Sequence, residues 1–218
     1  MPMIWLFGLA LVALNLSRAG LVYWQWDRFS SSGDLIHIFF SGLRMDLVML
    51  CQMLILLTLV LLCTPRALLN TRMFKTLLLT WCSGWFFFLV FMETVTPTYM
   101  DFFQARPGRI FFEYLDRPGE VTSMLRVGYP ITALLGFLLP ITATVLCYKK
   151  FRFDSAELSY GWVHRVIILL PIFVLLTLGA RGTFGHRPLN PSTLATSPDQ
   201  LVNDLFLSSG YKLLYSIY

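Results

Sequence analysis

The sequence predicts an all-α fold: a polytopic integral membrane protein of five transmembrane helices, with an interfacial outer loop and an extracytoplasmic C-terminal linker helix. Three observations carry this. Of 218 residues, 56% are hydrophobic and only 13% charged, against roughly a quarter charged in ordinary soluble domains. Mean hydropathy is +0.67, so the solvent for this chain must be largely lipid. The apolar residues come in blocks long enough, as helices, to cross a hydrocarbon core of about 30 Å. A spanning β-barrel would instead alternate over segments of about ten residues. Finally, the basic residues are biased between alternate connections, as membrane topology requires.

The first helix is expected over residues 4–23. No Lys or Arg precedes it, so the charged lead of a signal peptide is missing and a retained helix is expected. Trp24 and Trp26 follow where an interfacial aromatic belt belongs. The second is expected over 43–63, ended by Thr64-Pro65, because a residue before proline disfavours the helical region. The third, 76–95, carries Trp81, Trp85, Phe86, Phe87 and Phe88. The fourth, 129–148, holds Pro130, Gly136 and Pro140, and a kink near Pro140 is tolerable in lipid when neighbours satisfy the freed carbonyl. The fifth, 162–180, contains Pro171.

Loop charge orients the bundle. The second-to-third connection has Arg66, Arg72 and Lys75 and no acid, and the fourth-to-fifth has Lys149, Lys150, Arg152 and Arg165 against Asp154 and Glu157. Residues 17–46 balance Arg18, Arg28 and Arg44 against Asp27, Asp34 and Asp46, and residues 93–127 are balanced too. The positive-inside rule puts the two basic connections and the amino terminus in the cytoplasm and the tail outside. The chain divides into a transmembrane domain, residues 1–180, and an extracytoplasmic linker, residues 181–218. Residues 97–127 are long for a loop and rich in aromatics, with Arg106 and Arg109 among them, a composition suited to an interfacial helix. In the tail, Ser197-Pro198-Asp199-Gln200 reads as a helix start with Ser197 as cap, and Gly210 is expected to interrupt the helix that follows.

Chemistry-bearing motifs are sparse. Phosphate-loop, zinc-protease and nucleophile-elbow patterns are missing, and His37, His164 and His186 fall at three separate places, so no metal site is expected. Cys51, Cys63, Cys82 and Cys147 sit in or at the ends of apolar blocks and read as small hydrophobes. The net charge of +5 is spread between blocks with no basic stripe, so no nucleic-acid partner is expected. Candidate sites are therefore charged residues near the outer interface. Arg44 and Asp46 are two apart, do not face each other on a helix and need separate partners. Arg44 is either a snorkelling anchor or part of a polar contact or headgroup site. Glu93 fits a structural pair with an outer arginine better than proton transfer. Arg106 and Arg109 are solvated loop charges or grips on a lipid phosphate, which guanidinium geometry suits. Arg181, His186 and Arg187 form a glycine-containing exit from the last helix with access to anionic headgroups.

Three stretches in order, Gly42-Leu43-Arg44-Met45-Asp46, Arg109-Ile110-Phe111-Phe112-Glu113-Tyr114-Leu115, and Arg187-Pro188-Leu189-Asn190-Pro191 followed by Leu201-Val202-Asn203-Asp204, resemble the amino-terminal membrane half of the lipoteichoic-acid-synthase-like proteins. These are phosphoglycerol or phosphoethanolamine transferases of the alkaline phosphatase/sulfatase superfamily, and the resemblance runs from about residue 40 to the end. It implies five membrane helices followed by a large extracytoplasmic α/β domain. That domain would hold a divalent metal, usually Mn or Zn, and a threonine nucleophile that passes a phospho-headgroup from a phospholipid to a glycan or lipid. This sequence departs from the family where that domain would begin, ending at Tyr218. Thr183, Thr193 and Thr196 have no ligand cluster around them, so no catalytic role is carried onto them.

The resulting expectation is a membrane-anchoring, lipid-facing module, inactive alone, in a bacterial cytoplasmic (inner) membrane. It has no catalytic residue, metal or cofactor of its own. Arg44, Arg106, Arg109 and Arg187 are the headgroup candidates, and Asp46, Glu93 and Glu113 the structural polar candidates. Expected partners are membrane phospholipid, the missing extracytoplasmic catalytic domain and membrane subunits. The alternative is a stand-alone membrane protein binding lipid or partner subunits. A small transporter would need ionisable groups converging on the midplane, and the block centres hold almost none.

Overall fold

A computed structural model of the chain describes residues 2–32, 34–116, 118–119, 123, 126, 128–150, 161–183, 185–186 and 189–216. It is all-helical among the described residues. Its elements are α1 (Pro2–Trp24), α2 (Trp26–Ser32), α3 (Leu35–Cys63), α4 (Arg66–Leu69), α5 (Arg72–Phe103), α6 (Arg109–Leu115), α7 (Pro130–Lys150), α8 (Trp162–Arg181), α9 (Gln200–Leu205) and α10 (Ser209–Tyr215). Four helices, α1, α3, α5 and α8, are long and apolar enough to cross a membrane, and α7 contains a shorter apolar stretch, Ala133–Lys149.

Two of these helices run well past the apolar blocks expected to define them. The second was expected from residue 43, but α3 starts at Leu35, because Asp34 caps it by accepting from the backbone N–H of Ile36 at 3.0 Å and of His37 at 3.4 Å. Gly42-Leu43-Arg44-Met45-Asp46 is therefore inside the helix rather than before it. The third was expected to end near residue 95, but α5 continues through Pro97 to Phe103. The extra turns persist because they are packed: Thr96 and Met100 are fully buried and Tyr99 is buried. The helix stops at Gln104, whose φ of 52° turns the chain back left-handed. The long outer connection thus begins at residue 104 and carries the short α6. At 1.5 Å per residue, the 29 residues of α3 and 32 of α5 reach about 43 and 48 Å, well beyond a hydrocarbon core of about 30 Å.

The core forms where α1, α3 and α5 meet. Leu14, Leu21, Met45, Met49, Phe86 and Leu89 pack in one cluster with Leu201, Leu205, Phe206 and Tyr211 of the tail. α7 lies on α5, and α8 lies antiparallel on α3. The α3–α8 approach is close: a Cβ on Gly179 would lie 2.7 Å from Cys51 Sγ, and one on Gly182 would lie 2.6 Å from Val48. Gly182 also has φ 68°, ending α8 in the left-handed conformation that glycine accommodates. Each end of this pair is tied by an arginine. Arg44 of α3 donates twice to the Gly182 carbonyl, at 3.1 and 2.8 Å, and Arg165 of α8 donates to the carbonyls of Leu61 and Thr64 at 3.2 and 2.8 Å.

The tail caps the bundle at the end where α1, α5 and α8 finish and α3 begins. Its first helix is capped by Asp199, which accepts from Leu201 N–H at 2.9 Å, not by Ser197, whose hydroxyl accepts from Asp199 N–H instead. Gly210 does not interrupt a helix. It sits inside α10, where a side chain would press on Leu89 and Met49, and the break falls at residues 206–208. Arg28 of α2 holds the start of the tail, pairing with Asp199 at 3.1 Å and donating to Gln104.

Candidate functional site

Two buried ion pairs lie side by side at the tail-covered end of the bundle, and consecutive residues of α1 join them. Arg18 donates to Asp46 at 2.6 Å, with both side chains essentially inaccessible at 1% and 0% exposure. Asn15, one turn earlier on α1, accepts from Arg18 at 3.0 Å. Gly42 makes room for this pair, since a Cβ there would stand 2.3 Å from both Cζ and Nε of Arg18. Next to Arg18, Ser17 donates its hydroxyl to Glu93 at 2.6 Å.

Glu93 is the hub of the second pair. Its carboxylate accepts from Arg106 Nη1 at 3.1–3.2 Å and from the backbone N–H of Ser209 at 2.7 Å. Ser208 stands at the cap position of α10 but makes no side-chain bond to the helix start, its hydroxyl donating to Met49 Sδ at 3.8 Å instead, so Glu93 takes the capping role from another helix and places negative charge at the helix start, where it is favourable. Arg106 reinforces the joint. It donates to Ser209 Oγ at 2.9 Å and to the Leu205 carbonyl at 3.4 Å, and its backbone N–H donates to Asp204 at 3.1 Å. Asp204 also pairs with Lys212, and Ser209 Oγ bonds Thr96 Oγ1. The four central charges, Arg18, Asp46, Glu93 and Arg106, sum to zero, the condition under which such groups are retained at low dielectric. Arg18 Nε, Asp46 Oδ1 and Arg106 Nε are buried and find no partner among the described residues. Outside the spanning helices, burial pushes the Tyr211 phenol above its ordinary value, with a smaller contribution from Tyr215.

The sequence candidates divide accordingly. Asp46 and Glu93 are brought together in this network. Arg106 was expected in a loop facing headgroups but is buried, because α5 runs on to Phe103 and the left-handed turn at Gln104 folds the chain back onto Glu93. Arg44 is half-buried, with its guanidinium on the Gly182 carbonyl. Arg109 is exposed, with Glu113 one turn on at 3.9 Å, and both stand in open surroundings at 79% and 66% exposure. Arg187 lies outside the described residues. Sequence reasoning missed Arg18 and Arg165 by counting them as connection charges. The available signal was Arg18 inside an apolar run, where a charge demands a partner.

Among the described residues no three His, Cys, Asp or Glu side chains gather as metal ligands. The arrangement as it stands is a polar joint between the long apolar helices and the tail. No protein-family model matches the chain, and no solved structure matches it.

Proposed function

We propose that this chain is the membrane-anchoring, lipid-substrate-facing module of a phospholipid-dependent phosphoglycerol or phosphoethanolamine transferase, inactive alone. In this reading α1, α3, α5, α7 and α8 are five spans in a bacterial inner membrane. The amino terminus is cytoplasmic, and residues 181–218 are an extracytoplasmic linker to a catalytic domain. The Mn or Zn and the nucleophile that the resemblance implies belong to that domain.

The observation that supports this reading is the grip of Glu93 on Ser209 and Arg106. A flexible tether needs no buried carboxylate at its root. A tail seated by one, with its own Leu201, Leu205 and Phe206 in one apolar cluster with Met45, Met49 and Leu89, is a mount that fixes where a following domain stands above the membrane. Arg109, exposed at the same outer region with Glu113 one turn on, is the headgroup candidate that stands open among the described residues.

The test is to read the gene past codon 218. The proposal expects several hundred further codons with acidic and histidine metal ligands and a nucleophilic threonine. A native stop at that point overturns it and leaves a stand-alone membrane protein that binds lipid or partner subunits.

A further inference from the structure

Charge divides three of the long helices at matching heights. On α5, Glu93 and Lys75 are eighteen residues apart with no charged residue between them, a rise of about 27 Å. On α8, Arg165 and Arg181 are sixteen residues apart, again with none between, a rise of about 24 Å. α3 carries no charge from Leu47 to its end at Cys63. Hydrogen bonds set these stretches level with one another. Arg44 joins α3 to Gly182 at the end of α8, and Arg165 joins α8 to Leu61 and Thr64. Ser17 and Arg18 of α1 hold Glu93 of α5 and Asp46 of α3 beside each other. From Arg44 to Leu61 and Thr64 the rise is about 26–30 Å. A hydrocarbon core is about 30 Å thick.

The parts that project past the upper level carry exposed charge. α3 begins nine residues before Arg44 and α5 ends ten residues after Glu93, so each stands about 14–15 Å beyond it. Asp34 at the start of α3, Asp101 near the end of α5, and Asp27 and Arg28 of α2 are all exposed there. Ionised side chains facing hydrocarbon are costly. Exposed tryptophans fall just past both levels. Trp162 lies three residues before Arg165, and Trp24 lies six residues after Arg18. They stand about 5 Å beyond Arg165 and about 6 Å beyond Arg44, within the headgroup layers where an aromatic belt sits.

We infer that the bundle is built to contact the hydrocarbon of a bilayer only between the level of Arg44 and Glu93 and the level of Arg165 and Lys75. The lipid belt is then about 24–30 Å tall, although α3 and α5 are about 43 and 48 Å long. The first turns of α3, the last turns of α5, α2 and the tail form a headpiece outside it. The four buried charges lie within a turn of its upper edge, where the cost of a charge falls. The inference rests on reading α3, α5 and α8 as membrane spans and is independent of any transferase.

Spin-label depth tests it. The full chain carrying C51A, C63S, C82A and C147A receives a nitroxide at one of four exposed positions, F40C, F102C, L56C or L175C, in phosphatidylcholine bilayers. Power saturation then compares oxygen, which concentrates in hydrocarbon, with a water-soluble nickel chelate. Oxygen should be the stronger relaxant at L56C and L175C, and the order should reverse at F40C and F102C. Oxygen dominance at F40C or F102C overturns the inferred belt while leaving the spans. Nickel dominance at all four overturns the spans, and the belt with them. The unsubstituted chain gives a second reading across bilayers of increasing acyl length. Its resistance to unfolding should peak at a hydrocarbon thickness of about 24–30 Å, and a rise that continues beyond about 35 Å overturns the inference.

Discussion

Arg44 and Arg165 perform the same task from opposite partners of one antiparallel helix pair. Arg44 of α3 holds the last carbonyl of α8, and Arg165 of α8 holds the last carbonyls of α3. The C-terminal carbonyls of a helix have no partner within it, and in lipid an unmet carbonyl is costly. Each arginine also places positive charge where the helix dipole is negative.

This reciprocity predicts how the pair responds to mutation. R44Q and R165Q should each destabilise the bundle by about 1–3 kcal/mol, the cost of leaving a buried acceptor unmet. The two sites are separated by some 17 residues of α3, about 26 Å, so their effects should add. Denaturant unfolding in mixed micelles measures both singles and the double.

The Arg18–Asp46 pair makes a different prediction. D46N leaves Arg18 buried and unpaired and should cost about 3–5 kcal/mol. G42A should act through the same pair, since its Cβ would meet the Arg18 guanidinium at 2.3 Å. The D46N/G42A double should therefore be much less destabilised than the sum of the singles. Strict additivity would show that Gly42 does not serve the pair.

The apolar blocks made the helices legible, because any run of that length in lipid must satisfy its backbone internally. The ends were harder to read. The last turns of α5 are polar enough to resemble a loop, while the first turns of α3 are apolar but cut off from the later apolar run by Arg44 and Asp46; both stay helical because Asp34 caps one and the tail covers the other. Glu93 was legible as an acid needing an arginine, but Ser209, 116 residues later, joins it only through tertiary packing that no local pattern encodes. Arg18 and Arg165 were counted as loop charges for the same reason: charge tallies do not say which side chains turn inward. Gly42 was visible in the sequence, yet its purpose is apparent only once Arg18 is seen beside it.

Thiol accessibility tests the burial pattern and the proposed orientation together. Cys63 is exposed at the end of α3, while Cys51, Cys82 and Cys147 are buried. A membrane-impermeant maleimide should label wild-type protein in inside-out vesicles, leave it unlabelled in intact cells, and lose its target in C63S. Labelling from the outside would reverse the topology.

Alkaline pH should loosen the tail. The Tyr211 phenol is raised by burial, so its neutral form favours the docked state. That contribution is complete below the ordinary tyrosine value of about 10 and is lost as pH rises through the higher docked value. Tail docking in Y211F, followed by tryptic cleavage after Lys212, should lack this alkaline step.

The seating of the tail by Glu93 is the central structural claim, and hydrogen–deuterium exchange of residues 200–215 in nanodiscs tests it most directly, comparing wild type with E93Q. The account predicts slow exchange across α9 and α10 in the wild type, including at Ser209 N–H. In E93Q it predicts a selective rise in exchange over those helices, with α1 and α3 unchanged. A tail that exchanges freely in the wild type, or one whose protection E93Q leaves intact, would contradict it.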